Sequence, residues 1–304
     1  MSQKLHWQHQ TVCRSRSEFR TTMCDVLVAL PPATGGATLF AKNSDRPPHE
    51  RQILEWIEAR SEKSTRATYV DIKGHETLTQ RCIISRPEWG WGAEHGVNES
   101  GVAIGNATIY TTLDPRGIPD ALTGMDIVRL GLERATSARE AMEIIIELIT
   151  TYGQGGSGHA PSASPRPYWN SFLVADGSSG WAIETSGRDY AVQEIVDTWA
   201  ISNRTTIPEF DGRRHPRQPV ERLVDPRLNA SRDVLERRPV TTELLKSHLA
   251  SHGQSNEGWN VCMHVEGIEK TTASMIAELR IEGVPRVWVT QESPCQSQYE
   301  LLNF

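Results

Sequence analysis

Two neighbouring runs decide how the chain is read: Met23-Cys24-Asp25-Val26-Leu27-Val28-Ala29-Leu30 and Leu39-Phe40-Ala41-Lys42-Asn43-Ser44-Asp45-Arg46-Pro47. A cysteine opens an apolar, strand-like run. Pro31, Pro32, Gly35 and Gly36 then break the chain, and a second apolar run ends in a polar cluster. Such a pattern predicts a hairpin that returns Lys42, Asn43 and Asp45 to the end where Cys24 sits. If Cys24 becomes the first residue of a mature chain, it carries both a thiol nucleophile and a free amine. A free α-amine has a pKa of roughly 7.7–8.0, so near neutrality a useful fraction can accept the thiol proton. A buried structural cysteine is the plain alternative, since this residue type is commonly buried.

Composition narrows the class. The 304 residues are 38% hydrophobic and 23% charged, ordinary for a globular protein, and no apolar run reaches membrane-spanning length. The formal charge is -6; without residues 1–23, which hold Lys4, Arg14, Arg16 and Arg20 against Glu18, it becomes -9. That surface disfavours nucleic acid as a partner. Five scattered cysteines (Cys13, Cys24, Cys82, Cys262, Cys295) form no CxxC pair and no zinc-like spacing, which points to a reducing, cytoplasmic setting. His248 and His252 share helical spacing without a third ligand in the pattern, so neither a metal nor a cofactor is expected.

Residues 1–23 are polar and lack the apolar core of a secretory signal. They read as a propeptide or N-terminal extension. A targeting segment and an upstream start with Met23 as initiator are the other readings. Residues 24–304 read as one domain.

Along that domain, Gln52–Ala59 and Ala67–Ile72 read as strands or as a strand and a turn, Gln80–Ser85 as another strand, then a Gly- and Trp-rich loop over 86–96 and a strand over Val102–Tyr110. Small residues in that last strand mark a place of close approach. Thr123 with Asp126, and Ser137 with Glu140, mark two helix starts, the second helix ending at Tyr152-Gly153. Short polar turns between 170 and 203 suggest an antiparallel meander. A helix over Thr241–His252 and strands at Val261–Val265, Ala273–Leu279 and Arg286–Thr290 follow. Strand blocks flanking a helical pair predict an α+β protein with two antiparallel sheets between helices, a four-layer αββα sandwich. The arginines between Arg213 and Arg238 interleave with acids and prolines, and read as a solvated, partly irregular excursion.

Several phrases resemble the secernin branch of the cysteine N-terminal-nucleophile (Ntn) hydrolases, grouped with dipeptidases. They are Cys24–Pro32, Phe40–Pro47, Ser85–Glu94, Asn98–Asn106, Gly124–Ala135, Tyr152–Gly156, Asn170–Asp176, Ile201–Asn203, Cys262–Gly267 and Thr272–Met275. They run in order from Cys24 to Met275. The first 23 residues match nothing in that pattern, and secernins usually continue beyond the equivalent of Phe304.

The resemblance implies catalysis by Cys24 with Asn43, Asp45, Asn106 and Asn170. Asp45 and Asn43 stand where the family puts polar residues around the nucleophile, and Lys42 stands where bile-salt hydrolases and penicillin acylases carry arginine. Asn106 and Asn170, each at a strand end, are expected to face the oxyanion, Asn106 through its backbone N–H and Asn170 through its amide. Lys42, Arg46, Asn203 and Arg204 are expected at the substrate rim. Trp89 and Trp91 are either pocket walls or core tryptophans. The activity implied is hydrolysis of a small peptide or amide substrate, of dipeptidase type, after self-cleavage before Cys24. Acylamide hydrolysis of the penicillin or bile-salt kind is one alternative. A non-catalytic role in regulated secretion (exocytosis) is another, and self-association is left open.

Overall fold

The computed structural model describes residues 23–253 and 257–304; residues 1–22, nearly all of the N-terminal extension, lie outside the described residues. Cys24–Ala29 (β1) and Thr38–Arg46 (β2) form the expected hairpin, with Cys24 opposite Ser44 and Ala29 opposite Leu39. A short helical turn, Pro31–Thr34 (α1), reverses the chain and ends at Gly35, whose φ of 71° is the left-handed conformation glycine adopts without strain.

This hairpin is the centre of one sheet. Thr198–Ile201 (β12) borders β1, and Glu269–Leu279 (β14) borders β2. Arg286–Thr290 (β15) and Glu300–Asn303 (β16) extend that side, and His264–Val265 (β13) pairs with β14. The second sheet runs Asp189–Ile195 (β11), Gly180–Ser186 (β10), Trp169–Ala175 (β9), Ala103–Ile109 (β8), His95–Asn98 (β7), Cys82–Pro87 (β6) and Gln52–Ile57 (β3). Its neighbouring strands are antiparallel, as are those of the first. Ser64–Arg66 (β4) and Asp71–Lys73 (β5) form a small separate hairpin, so of the two readings of Ala67–Ile72 the turn describes residues 67–70.

Alternation along each strand sorts residues between layers. Val26, Val28 and Phe40 meet Ala103, Ala107, Leu173 and Ala182 between the sheets. On the far side of the second sheet, Ile104, Phe172 and Ile183 pack on Ile127, Leu130, Ile145 and Ile149 from Gly124–Arg134 (α2) and Ala138–Tyr152 (α3). On the far side of the first, Leu27, Ala41 and Ile276 pack on Leu228, Leu235, Leu245 and Leu249. The result is the four-layer αββα sandwich. Each fully buried Leu, Ile or Phe contributes roughly 1.5–3 kcal/mol of burial, so both sheets are fixed in register by two cores at once.

The first helix start is a capping box: Thr123 Oγ1 accepts from Asp126 N at 3.1 Å, and Asp126 accepts from Thr123 N at 2.9 Å. The arginine-rich region departs from expectation. After two short turns, Pro208–Asp211 (α4) and Val220–Leu223 (α5), the segment Asp225–Leu235 is a helix (α6), followed by Thr242–Leu249 (α7). Leu228, Ser231, Val234 and Leu235 give α6 a buried face at spacings of three and four, which the interleaved charges mask in the sequence.

Candidate active site

Cys24 sits at the head of β1 with its thiol turned between the sheets. It is 2% exposed. Its backbone N–H donates to Asn203 Oδ1 at 3.0 Å, and the preceding carbonyl, that of Met23, accepts from Asp45 N–H at 3.0 Å. Met23 itself is buried against Trp259, Met263 and Val265, with Leu223 and Ile268 beside them. The thiol lies 3.9 Å from Glu94 Oε2. Burial pushes it up to about 12; Lys42 pulls the other way, while Glu94 and Asp45 add to the rise. Near neutrality it is therefore a thiol, and its use as a nucleophile requires a base.

Around the thiol is a buried charge network. Strand alternation turns Lys42, Ser44 and Arg46 toward the second sheet. Lys42 Nζ lies 3.4 Å from Glu94 Oε2 and 3.4 Å from Asn106 Oδ1, and donates to the Asn106 carbonyl. Arg46 donates to Glu94 Oε1 at 2.8 Å, to Glu50 Oε2 through Nε at 3.0 Å, and to the Gly158 carbonyl at 2.9 Å. Ser44 Oγ meets His95 Nδ1 at 3.1 Å. Such pairs hold because each charge is met by an opposite one; removal of one partner leaves the other buried and uncompensated. The small residue expected in β8 is explained here: a Cβ on Gly105 would stand 2.9 Å from Lys42 Cδ and 3.1 Å from Phe40 Cζ.

On the other side of Cys24, Arg227 from α6 pairs with Asp25 at 2.7 Å and donates to Asn203 Oδ1 at 2.8 Å. Arg227 is fully buried, not part of a solvated excursion. Asp45 accepts from Thr271 Oγ1 at 2.6 Å, while its Oδ2 has no partner among the described residues. Burial raises Asp45 to about 8, against the pull of Arg227 and with the push of Asp25. A bulge in β14 between Thr271 and Ala273, opposite Ser44 and Asp45, shapes this edge of the site.

The expected site residues divide. Cys24, Lys42, Arg46, Asp45, Asn106 and Asn203 converge. Asn43 does not: it alternates to the helical face, and its amide donates to the carbonyls of Leu249 and Val261, both at 2.8 Å. Asn170 stands one step back. Its Oδ1 accepts from Asn106 Nδ2 at 3.0 Å and its own amide donates to Gln154 Oε1 at 2.9 Å, so it reaches the cluster through Asn106. The Asn106 backbone N–H is directed at the Glu94 carbonyl at 3.4 Å. Gly124 makes room for this amide chain, since a Cβ there would fall 1.8 Å from Asn170 Oδ1. Trp89 is at the rim, donating to Glu50 Oε2 at 3.1 Å under Arg46. Trp91 belongs to the outer helical layer, with Arg129 over its ring at 4.2 Å. Arg204 pairs outward with Asp225 and Asp211.

Sequence reasoning passed over Glu94, Glu50, Gln154, Arg227 and Thr271. Glu94 lay in a motif already singled out, but only the fold shows that it bridges Lys42 and Arg46. A cavity of about 330 Å³ opens beside the network, lined by Pro47, His49, Glu50, His159, Arg166 and Ile268 among others. Ile268 also touches the Met23 cluster, so the cavity adjoins both the charged rim and the residue preceding Cys24. A larger cavity, about 550 Å³, lies at the opposite end of the β1–β2 hairpin by Gly36. His252, Cys262, His264 and Cys295, which share no zinc-like spacing in the sequence, come together from distant positions.

In the described residues no helix is long and apolar enough to cross a membrane. The fold resembles a mutant form of the conjugated bile acid hydrolase of Clostridium perfringens, with TM-score 0.55 and 10% identity over 92% of each chain. It also resembles the Caenorhabditis elegans ortholog of N-acylethanolamine-hydrolyzing acid amidase, with TM-score 0.52 and 12% identity over 83% of this chain and 92% of that one. In sequence, the chain is 27% identical over 214 residues to a probable dipeptidase B of Lactococcus lactis; that covers 61% of this chain and 40% of the relative, so the match spans well under half the relative's length. The family model described as peptidase family C69 matches residues 23–214, from the residue before the candidate nucleophile through both strands that carry Asn106 and Asn170, and the chain belongs to that family.

Proposed function

We propose that this protein is a cysteine-dependent Ntn amidohydrolase acting on short peptides, of dipeptidase type, with Cys24 as both nucleophile and, through its own amine, base. The observation that carries the reading is the environment of the Met23–Cys24 bond. Its carbonyl is held by Asp45 N–H, its nitrogen by Asn203 Oδ1, and the thiol that would attack it is on the same residue. Processing begins as Cys24 Sγ adds to the Met23 carbonyl carbon. The C–N bond breaks, the nitrogen takes up the proton that the thiol gives up and becomes the free amine, and Met23 is left as a thioester that water hydrolyses to a free carboxylate. Residues 1–23 then constitute a propeptide and 24–304 the mature domain.

Loss of Met23 empties three places at once. The new α-amine stays beside Asn203 Oδ1, on the edge of the site where Asp45 Oδ2 has no partner among the described residues. Asp45 N–H is released from the Met23 carbonyl and becomes a donor for the substrate carbonyl oxygen. The apolar pocket of Met23 joins the neighbouring cavity. In turnover the amine takes the thiol proton, the thiolate attacks the peptide carbonyl, and the proton passes to the leaving amine. Water then releases the acyl group. Lys42 and Arg46 balance Glu94 beside the thiolate, and Asn106 positions Lys42, with Asn170 acting through Asn106. Within the cavity, Arg166 suits the free carboxylate of a short peptide.

The test is intact mass and N-terminal sequencing of purified protein, beside hydrolysis of a dipeptide panel and of acylamides. A mature chain starting at Cys24, with dipeptides cleaved and Cys24→Ala left uncut and inactive, is the expected result. Active protein that retains Met23 throughout would overturn the assignment, and preference for acylamides would overturn the substrate class.

A further inference from the structure

Four side chains outside the site form a second constellation. His252 follows α7, Cys262 and His264 flank Met263 at the start of β13, and Cys295 lies in the loop between β15 and β16. One ligand atom from each lies within 4.8 Å of the other three. His264 Nε2 is 3.4 Å from Cys262 Sγ and 3.2 Å from Cys295 Sγ. The rings of His252 and His264 stand 5.0 Å apart at 74°. A tetrahedral zinc ion with two sulfur and two nitrogen ligands requires edges of roughly 3.3–3.8 Å, given its usual bond lengths. The two distances from His264 are of that size, and every other pair of donors lies within 4.8 Å.

We propose that His252, Cys262, His264 and Cys295 bind a structural zinc ion. Two thiolates and two neutral imidazoles fill a closed four-coordinate site and cancel the ion's charge; the two thiol protons are released to solvent on binding. A closed set of this kind leaves no position for substrate, so the role is architectural. The hydrogen bonds around the four ligands define what the ion braces. Cys262 N donates to the Ser251 carbonyl at 2.9 Å, next to His252. Met263, between two ligands, donates its backbone N–H to Thr271 Oγ1 and lines the Met23 cluster. Thr271 in turn donates to Asp45, and Ser293 Oγ, two residues before Cys295, donates to the Thr271 carbonyl at 2.7 Å. Three loops that already touch through the Cys262–Ser251 bond and through Thr271 are tied by the ion just outside the Cys24 edge of the sheet. Ligands drawn from three loops also explain why no zinc-like spacing is visible in the sequence.

The test uses the full chain carrying Cys24→Ala, which keeps the active-site thiol out of the count. Grown with zinc and passed through gel filtration, it should retain about one zinc per chain. Cobalt in its place should give visible ligand-field absorption of tetrahedral strength together with sulfur-to-cobalt charge transfer. Cys295→Ser, a surface change, and His264→Ala should each lower retained zinc at least tenfold while far-UV circular dichroism is unchanged. A strong chelator should lower the melting temperature of the parent by about 5 °C or more and leave Cys295→Ser where it was. Zinc-free protein after zinc-supplemented growth, or zinc retained undiminished in both variants, overturns the proposal. So does a freshly purified chain lacking two hydrogens with Cys262 and Cys295 joined, which would make the pair a disulfide instead.

Discussion

Cys24 and Arg227 share one acceptor: the backbone N–H of the first and the guanidinium of the second both end on Asn203 Oδ1, at 3.0 and 2.8 Å. One stands on strand β1 and the other on helix α6, far apart in sequence. The helix that reads as a charged excursion thus supplies a residue that shares the acceptor of the Cys24 backbone.

Arg227→Met should therefore act on stability first. It leaves the Asp25 carboxylate buried without its partner, a loss of about 3–5 kcal/mol for a broken buried pair. Denaturant unfolding of Cys24→Ala with and without the change measures it. Adding Asp25→Asn should recover a large part, and a double variant as unstable as the single would show that the pair is not what Arg227 serves.

The Lys42–Glu94–Arg46 bridge predicts a different signature. Glu94→Gln keeps the shape but removes the charge that Lys42 and Arg46 share, so the thiolate is favoured while Lys42 loses its carboxylate partner and Arg46 keeps only Glu50. Turnover per titrated site should fall about 10²-fold or more as the geometry loosens. The rate of Cys24 alkylation should rise at the same time. Unchanged alkylation with full turnover would remove Glu94 from the site.

Asn170 and Asn106 are coupled by a 3.0 Å bond, and each is predicted to lower kcat when replaced by alanine. Because Asn170 acts through Asn106, the double variant should cost little more than Asn106→Ala alone, with a coupling of about 0.5–3 kcal/mol in the cycle. Strict additivity in kcat would mean that Asn170 acts on the reaction directly.

The raised Asp45 gives a pH dependence with a definite sign. Its carboxyl titrates at about 4 in the unfolded chain and about 8 in the fold, mainly through burial, so the folded state holds the proton more tightly. The stability that this group contributes is full below about pH 4 and is lost as pH rises through about 8. Melting of uncleaved Cys24→Ala protein at pH 5 and pH 9 should show a decline that Asp45→Asn reduces. An equal decline in both proteins would place the titration elsewhere.

Much of this architecture is legible in the sequence. The β1–β2 hairpin, both capped helices and the meander announce themselves because apolar period and turn chemistry agree there. What escapes does so for physical reasons. Glu300–Asn303 is a short edge strand with little apolar pattern, and α6 hides its buried face among arginines and aspartates. Glu94 and Arg227 look like ordinary surface charges until the fold encloses them. Asn43 reads as a neighbour of the nucleophile because it adjoins Lys42 in sequence, yet successive residues on a strand face opposite ways.

That alternation limits how such a protein can change in length. β2 serves two layers at once, with Lys42, Ser44 and Arg46 on the chemical side and Ala41 and Asn43 toward the helices. A point substitution disturbs one layer. A single residue inserted or deleted next to Ala41 would exchange the two sets beyond it, driving charges toward the helical core and asparagine toward the thiol. Length variation among descendants of this chain is thereby confined to the turn at Gly35-Gly36 and to the far loops, while the strand itself can drift only in composition.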